Sequence, residues 1–557
     1  MKVIDFDVVC IGGGGAAVTA AVAASRLCRV ALVSKEPVGY GDTRMAAGSM
    51  VHPGLSEEDH GKVFFQDMML AGEGLNNPDL VSILSEKAAM ATTVVEEFGA
   101  IFRRDAKGNL GFGAATRSGG HTFPRSLICP PTGGVVICHA LRAAVHRSGV
   151  TVMEETQVCR IMVFDNQVRG VLCFSLKSGE VFIIRAKAII LATGGGGWLY
   201  YPSTDCSRGS TGDGYSLGYQ AGAGLIDMEQ VQFVPFGLTY PAAFKGLFLG
   251  EPNLAGPAGV LKNSRGEIIL DSISVKTRAA VTRAMAEEME RGGCTPNGGL
   301  YLDLSDNLST EKGRAVRKDM VQKGQLEILR KAYGEKCYQW QDLIEVTPTA
   351  HYFMGGIKVD VSCMSAVDGL FAAGQVQGGV HGGNRLGSTS LAELFVFGDI
   401  AGKKAAEYAN NTLPGQLPEE TEDAVKEIKV LFGSAGDYPP CNLIRRLQNI
   451  MRKYLWVLRD ARGLREALNL IADLEDMAGS LRISGEPIYN AEIMEAVELR
   501  HMLVTARAVA TSALERDESC GAHVRKDFTM SEKRSESYNV LVRKDLNKML
   551  VTRVKVG

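Results

Sequence analysis

The stretch that most restricts what this chain can fold into is residues 7–33. Asp7-Val8-Val9-Cys10-Ile11 is followed by Gly12-Gly13-Gly14-Gly15-Ala16-Ala17, then by small residues from Val18 to Arg26, then by Val30-Ala31-Leu32-Val33. Read as strand, glycine turn, helix and strand, this is a βαβ unit, which commits the amino-terminal part to an α/β architecture around a parallel sheet. Gly12, Gly14 and Ala17 hold the three positions of a dinucleotide-binding turn, with Gly15 inside it. The first glycine permits the tight turn, the second lets backbone approach a pyrophosphate, and the small third residue lets helix pack on strand. The second strand ends in Ser34-Lys35, not in the acidic residue that grips a nicotinamide dinucleotide's ribose. Ser34 is the candidate hydrogen-bond partner in its place.

Two later clusters extend the pattern. Ala188-Ile189-Ile190-Leu191-Ala192 reads as a buried strand running into Thr193-Gly194-Gly195-Gly196-Gly197, and Ser210-Thr211-Gly212-Asp213-Gly214 opens a small-residue helix. Asp213 there is either a helix cap or a ligand for a ribose or ribityl hydroxyl. The third cluster, His381-Gly382-Gly383-Asn384-Arg385-Leu386-Gly387-Ser388-Thr389-Ser390-Leu391, delivers one fixed cation to the start of an apolar helix. Such a helix start exposes unpaired N–H groups and a partial positive charge, and a guanidinium can grip a carboxylate with two parallel bonds.

Composition removes several function classes. Net charge is −2, so there is no basic field to hold nucleic acid. No apolar run is long enough to span a bilayer, and the chain opens directly into a strand, which makes a cytoplasmic enzyme the expectation. Twelve cysteines are scattered without a Cys-x-x-Cys pair, which argues against a metal or iron–sulfur site within this chain. Glycine is abundant, 64 of 557 residues, and it gathers in clusters rather than repeats, as close backbone approach to a ligand requires.

These clusters, with Thr349-Ala350-His351-Tyr352-Phe353-Met354-Gly355-Gly356 and Glu518-Ser519-Cys520-Gly521-Ala522-His523, resemble the flavoprotein subunits of fumarate reductase and succinate dehydrogenase, a family that includes L-aspartate oxidase. The resemblance runs over about residues 4–530. It implies an α/β fold: a Rossmann-like FAD-binding domain (1–228 plus 350–408), an inserted α+β capping domain (229–349) and a helical carboxy-terminal domain (424–530). Residues 531–557 are expected to be a tail against the surface or at an interface, outside the family match. FAD is the implied cofactor. Its implied contacts are Gly12, Gly14, Gly15, Ala17, Ser34 and Lys35, then Asp42, Thr43, Ala47 and Gly48, then Val158, Ala192, Thr193, Gly194 and Asp213. His351, Tyr352, Gln375, Arg385, Ser390 and Leu391 complete that set.

The resemblance also implies the chemistry: hydride passes between flavin N5 and one carbon of a C–C bond beside a carboxylate, while a protein acid exchanges a proton at the next carbon. His351 and Arg385 stand where the family binds the carboxylate, Arg278 where it transfers the proton, and Glu251 beside a relay position. The implied partners are a small carboxylate substrate and an electron-carrier protein or iron–sulfur subunit, because the sequence holds no cluster site of its own.

Three departures from the family pattern are informative. In Gly41-Asp42-Thr43-Arg44, Asp42 stands where succinate dehydrogenase and fumarate reductase carry the histidine that bonds covalently to flavin, so non-covalent FAD is expected. Val234 replaces the histidine for a second substrate carboxylate, and Leu254 replaces an arginine. Phe236 stands beside them, so Val234, Phe236 and Leu254 are expected to form an apolar half of the substrate pocket. A second carboxylate there would be buried unpaired, at a cost of several kcal/mol. A 2-enoate reductase, or the reverse dehydrogenase, is therefore the expected function. The alternatives are a fumarate reductase or succinate dehydrogenase flavoprotein, an aspartate-oxidase-like amine oxidase, and a non-catalytic electron-transfer subunit.

Overall fold

The computed structural model describes residues 2–46, 49–111, 117, 119–130, 133–322, 324, 326–528, 536–546 and 548–556. The strand Val8–Ile11, the helix Gly15–Ser25 and the strand Val30–Val33 form the amino-terminal βαβ unit. Both strands lie inside a five-stranded sheet with the order Leu370–Ala372, Ala188–Leu191, Val8–Ile11, Val30–Val33, Thr151–Met153, every neighbour parallel. Its central strands are buried along their whole length, as parallel strands covered by helices on both faces must be.

Two close approaches explain the small residues. Gly12 has φ +128°, and a Cβ there would sit 2.2 Å from the carbonyl oxygen of Ala192, so only glycine lets the first turn lie against the end of the neighbouring strand. Helix Gly15–Ser25 packs along helix Thr389–Asn410. A Cβ on Gly402 would meet the Ala20 carbonyl oxygen at 2.3 Å. Ala17, on the same helix as Ala20, is fully buried.

A second layer is the six-stranded sheet Phe248–Gly250, Val231–Leu238, Ile344–Phe353, Leu300–Asp303, Val260–Lys262, Ile268–Leu270. Helix Arg278–Glu290 packs against it. It has its own hydrophobic core, which includes Phe236, Leu254, Val281 and Trp340. The chain enters along Val231–Leu238 and leaves along the antiparallel Ile344–Phe353. Phe233 and Ala350 on these strands belong to the main core, whereas Phe236 and Val346 belong to the second. The two strands therefore form a paired bridge between the layers, and the site lies where they cross.

Carboxy-terminal helices Pro440–Tyr454, Ala461–Met477 and Ala491–Glu515 pack on one another, and the last of them packs on helix Asp213–Ala221. The expectation for the tail is corrected. Tyr538–Asp545 and Lys548–Lys555 form a β-hairpin that joins Leu225–Ile226 and Gly356–Ile357 in one sheet. Val540 and Val542 are fully buried while Arg543, Lys544 and Asp545 are exposed. The charges gather at the strand's outer end and dominate the composition, which masks the buried run from Asn539 to Val542. Among the described residues no helix is long and apolar enough to cross a membrane.

Candidate active site

A cavity of about 1520 Å³ opens between the glycine turns and the six-stranded sheet. Its lining runs from the glycine turns to Arg278, His351 and Arg385, an extent that suits a dinucleotide with a small substrate beside it. Its wall includes Gly12, Gly14, Gly15, Ser34 and Val158. It also takes in Ala192, Thr193, Gly194, Gln375, Ser390 and Leu391. Among the described residues, Thr193 Oγ1, Gln157 Oε1, Gln375 Nε2 and Arg385 Nε are buried polar atoms without a hydrogen-bond partner, and all four side chains line the cavity. Buried polar atoms are rarely left so: hydroxyls, phosphates and a ring edge of FAD would satisfy those of Thr193, Gln157 and Gln375, and a substrate carboxylate that of Arg385. Ala17 is a correction: it does not line the cavity, and its side chain is buried in the main hydrophobic core. Ala47 and Gly48 lie outside the described residues.

Lys35 and Asp213 line the cavity as a pair rather than as independent ligands. Lys35 Nζ donates to Asp213 Oδ2 at 2.8 Å, Glu498 Oε1 at 2.8 Å and Thr211 Oγ1 at 2.5 Å, which uses its three N–H groups. Asp213 also accepts from Thr211 Oγ1 at 2.7 Å and Gln157 Nε2 at 3.3 Å. Burial disfavours the Asp213 charge, but Lys35 and His501 outweigh it and hold the carboxyl well below its ordinary range. The pair pins the end of the second strand to the helix at Asp213.

On the side of the second layer two cations converge. Arg278, at the start of its helix, is buried, and its Nε donates to Glu251 Oε2 at 2.6 Å. Its Nη2 donates to Glu251 Oε1 and its Nη1 to Gln232 Oε1. Burial would push the Glu251 carboxyl up, but the Arg278 charge and hydrogen bonds, with the Arg385 charge behind them, more than offset this and hold it at about 2. Arg385 is held differently. Its Nη2 lies 2.8 Å from His351 Nε2, its Nη1 donates to Leu386 O and Ser390 Oγ at 3.2 and 3.3 Å, and its guanidinium carbon lies 4.7 Å from the Tyr352 ring centroid. Burial first, and then the Arg278 charge, lower Arg385 to about 10.

The tautomer of His351 follows from chemistry. A guanidinium only donates, so His351 Nε2 accepts from Arg385. Its proton is then on Nδ1, donated to Asp205 Oδ2 at 2.7 Å. Phe248 stacks on this imidazole, with centroids 5.8 Å apart and planes 23° apart. Asp42, half-buried on the cavity wall, accepts from the Ser207 backbone N–H at 2.7 Å and from Ser210 Oγ at 2.6 Å. Thr43 Oγ1 accepts from the Gly15 N–H at 3.1 Å.

The expected apolar half of the pocket is corrected. Phe236 and Leu254 lie in the core of the six-stranded layer, and neither they nor Val234 lines the cavity. The second layer needs large side chains to fill its own interior, and these two supply them. The apolar wall that the cavity does have beside His351 is Phe248. Sequence reasoning missed Asp205, Gln232, Phe248 and the buried Glu393, which accepts from Tyr352 OH and lies 2.9 Å from His381 Nε2. Gln232 and Phe248 carry no motif, whereas Glu393 stands two residues beyond the glycine loop's end at Leu391, where the same loop points to it.

Comparison with known proteins agrees with this geometry. Residues 7–391 match the family described as FAD binding domain, and residues 444–556 match that described as fumarate reductase flavoprotein C-term. The second match takes in the terminal hairpin, so the tail belongs to the family pattern after all. An archaeal relative, a fumarate reductase (CoM/CoB) subunit of Methanothermobacter marburgensis, is 34% identical, with 95% of each chain covered. The fumarate reductase flavoprotein subunit of Haemophilus influenzae is 30% identical over 95% of this chain and 90% of its own. A solved structure of E. coli quinol fumarate reductase FrdA superposes with a TM-score of 0.89 at 28% identity, over all of this chain and 97% of that one. The chain belongs to the fumarate reductase and succinate dehydrogenase flavoprotein family, and is an FAD-dependent oxidoreductase acting on CH–CH bonds.

Proposed function

We propose that the protein reduces the C=C bond of a 2-enoate that carries one carboxylate, or runs the reverse dehydrogenation. The observation that carries this reading is the unequal state of the two cations. Each nitrogen of Arg278 donates to Glu251 or Gln232, while Arg385 keeps a buried Nε without a partner among the described residues. There is one open guanidinium edge for one carboxylate. The surface facing His351 is the Phe248 ring.

The roles follow from the geometry. Arg385, oriented by the Asp205-held His351 that accepts from its Nη2, grips the carboxylate and stabilises negative charge as it grows there, which is often the largest contribution to catalysis. The glycine turns, the unpartnered Thr193 and Gln375 groups and the helix start at Ser390 would hold FAD, which would supply or take the hydride. Arg278 delivers the proton to the neighbouring carbon from its Nη groups. An arginine is too weak an acid to do this in water, so Glu251, which holds both ends of the fork, returns the proton and keeps the guanidinium aimed. Phe248 excludes water from the His351 face. Electrons reach the site through an electron-carrier protein or iron–sulfur subunit, a reading supported by the relatives being named as subunits. A cytoplasmic location fits this reading. The test is kcat/KM for fumarate against a panel of monocarboxylic 2-enoates.

A further inference from the structure

We infer that Asp42 is a fixed negative charge that lowers the reduction potential of the bound flavin and so biases this enzyme toward reducing its substrate. The inference rests on FAD occupying the cavity and not on which enoate is used. Burial and the nearby Asp205 charge push the Asp42 carboxyl up from its ordinary range, and the Ser210 and Ser207 bonds pull it back. Both of those bonds are donated to the carboxylate, by a backbone N–H on Oδ1 and by the Ser210 hydroxyl on Oδ2, which favours the charged form. No cation pairs with Asp42 among the described residues, whereas the charges of Asp213, Glu251 and Glu498 are all countered by Lys35, Arg278 or Arg208. The carboxylate stands on the cavity wall, and a Cβ on Gly194, another wall residue, would lie 3.7 Å from Oδ2.

An uncompensated carboxylate in a cavity of low dielectric acts more strongly on a neighbouring charge than it would in water. Two-electron reduction of a flavin, with uptake of one proton, adds one negative charge to the ring. Asp42 opposes that addition, whereas Arg278 and Arg385 favour it from the substrate side. The short helix Asp42–Met45 holds the group in place: Thr43 Oγ1 accepts the Gly15 N–H, which ties the carboxylate's position to the dinucleotide turn.

The experiment is the midpoint potential of the purified holoprotein by spectroelectrochemical titration, for the unmodified chain, Asp42→Asn and Ser210→Ala. Asp42→Asn should favour the reduced flavin by about tenfold in the two-electron equilibrium, which is a rise of about 30 mV. Ser210→Ala removes one donor to the carboxylate, so protonation becomes easier and the potential should rise by a smaller amount, most at lower pH. An unchanged potential in Asp42→Asn with FAD still bound would overturn the inference. If Asp42→Asn does not retain FAD, the Ser210→Ala shift decides, and no shift there overturns it. Flavin that stays with acid-precipitated polypeptide would instead refute non-covalent binding, so the two failures are distinguishable.

Discussion

Arg278 and Glu251 meet fork to fork, with Arg278 Nε and Nη2 on the two oxygens of one carboxylate, and Gln232 takes the remaining nitrogen. This arrangement separates the two arginines of the site by role. One is tied to a protein carboxylate and can pass a proton along that bond. The other is left with an open edge.

The pair gives the first prediction. Arg278→Gln should lower alkene reduction by at least about 100-fold, while FAD content, read from the flavin absorbance of the purified protein, stays stoichiometric. Glu251→Gln should fall by a similar factor, because it leaves the guanidinium aimed by neutral partners alone. Near-normal turnover in Arg278→Gln would show that the proton comes from elsewhere.

The same pair sets a pH dependence. Glu251 is held at about 2 against an ordinary value of 4.5. A depressed carboxyl stabilises the fold above its unfolded value and loses that contribution as pH falls toward the folded one. Between about pH 4.5 and 2 the unmodified protein should therefore lose more urea resistance on acidification than Glu251→Gln, and above about pH 5 their pH slopes should match.

His351 depends on Asp205 for its tautomer. Asp205→Ala should leave a buried donor unpaired, at roughly 1–3 kcal/mol, and lower kcat/KM by about tenfold or more. Asp205→Asn still offers an acceptor oxygen and should retain more activity than the alanine variant. Equal losses in the two would mean that Asp205 acts through its charge and not by orienting the ring.

Phe236 tests the corrected pocket. It is fully buried in the core of the second layer, so Phe236→Thr should destabilise the protein by about 3 kcal/mol or more without turning it into a better fumarate reductase. A variant of unchanged thermal stability that gains fumarate turnover would place Phe236 back at the substrate.

What the sequence made legible was chemistry concentrated in short runs. Gly12, Arg385 and His351 each sit in a motif whose residues act on neighbours a few positions away, so spacing alone locates them. Asp205, Gln232 and Phe248 reach the site from three separate segments, and their spacing carries no period. Phe236 and Leu254 were misplaced for a related reason. A family position describes where the backbone runs, whereas the side chain on a bulged strand, as between Val234 and Gly237, goes where the local core has room. The terminal hairpin was hidden by its charges, which gather at the exposed end of a strand whose buried run stops at Val542.

Acid precipitation of the holoprotein tests the cofactor reading. FAD should appear in the supernatant, because Asp42 stands in place of the histidine that forms the covalent bond in the resembling enzymes.

The central claim is that the site grips one carboxylate, and the direct measurement is kcat/KM on the reduced holoprotein for fumarate and for monocarboxylic 2-enoates with alkyl or aryl tails. At least one monocarboxylate should exceed fumarate by about tenfold or more, equivalent to about 1.4 kcal/mol. Fumarate exceeding every monocarboxylate would contradict the account and make the protein an ordinary fumarate reductase flavoprotein.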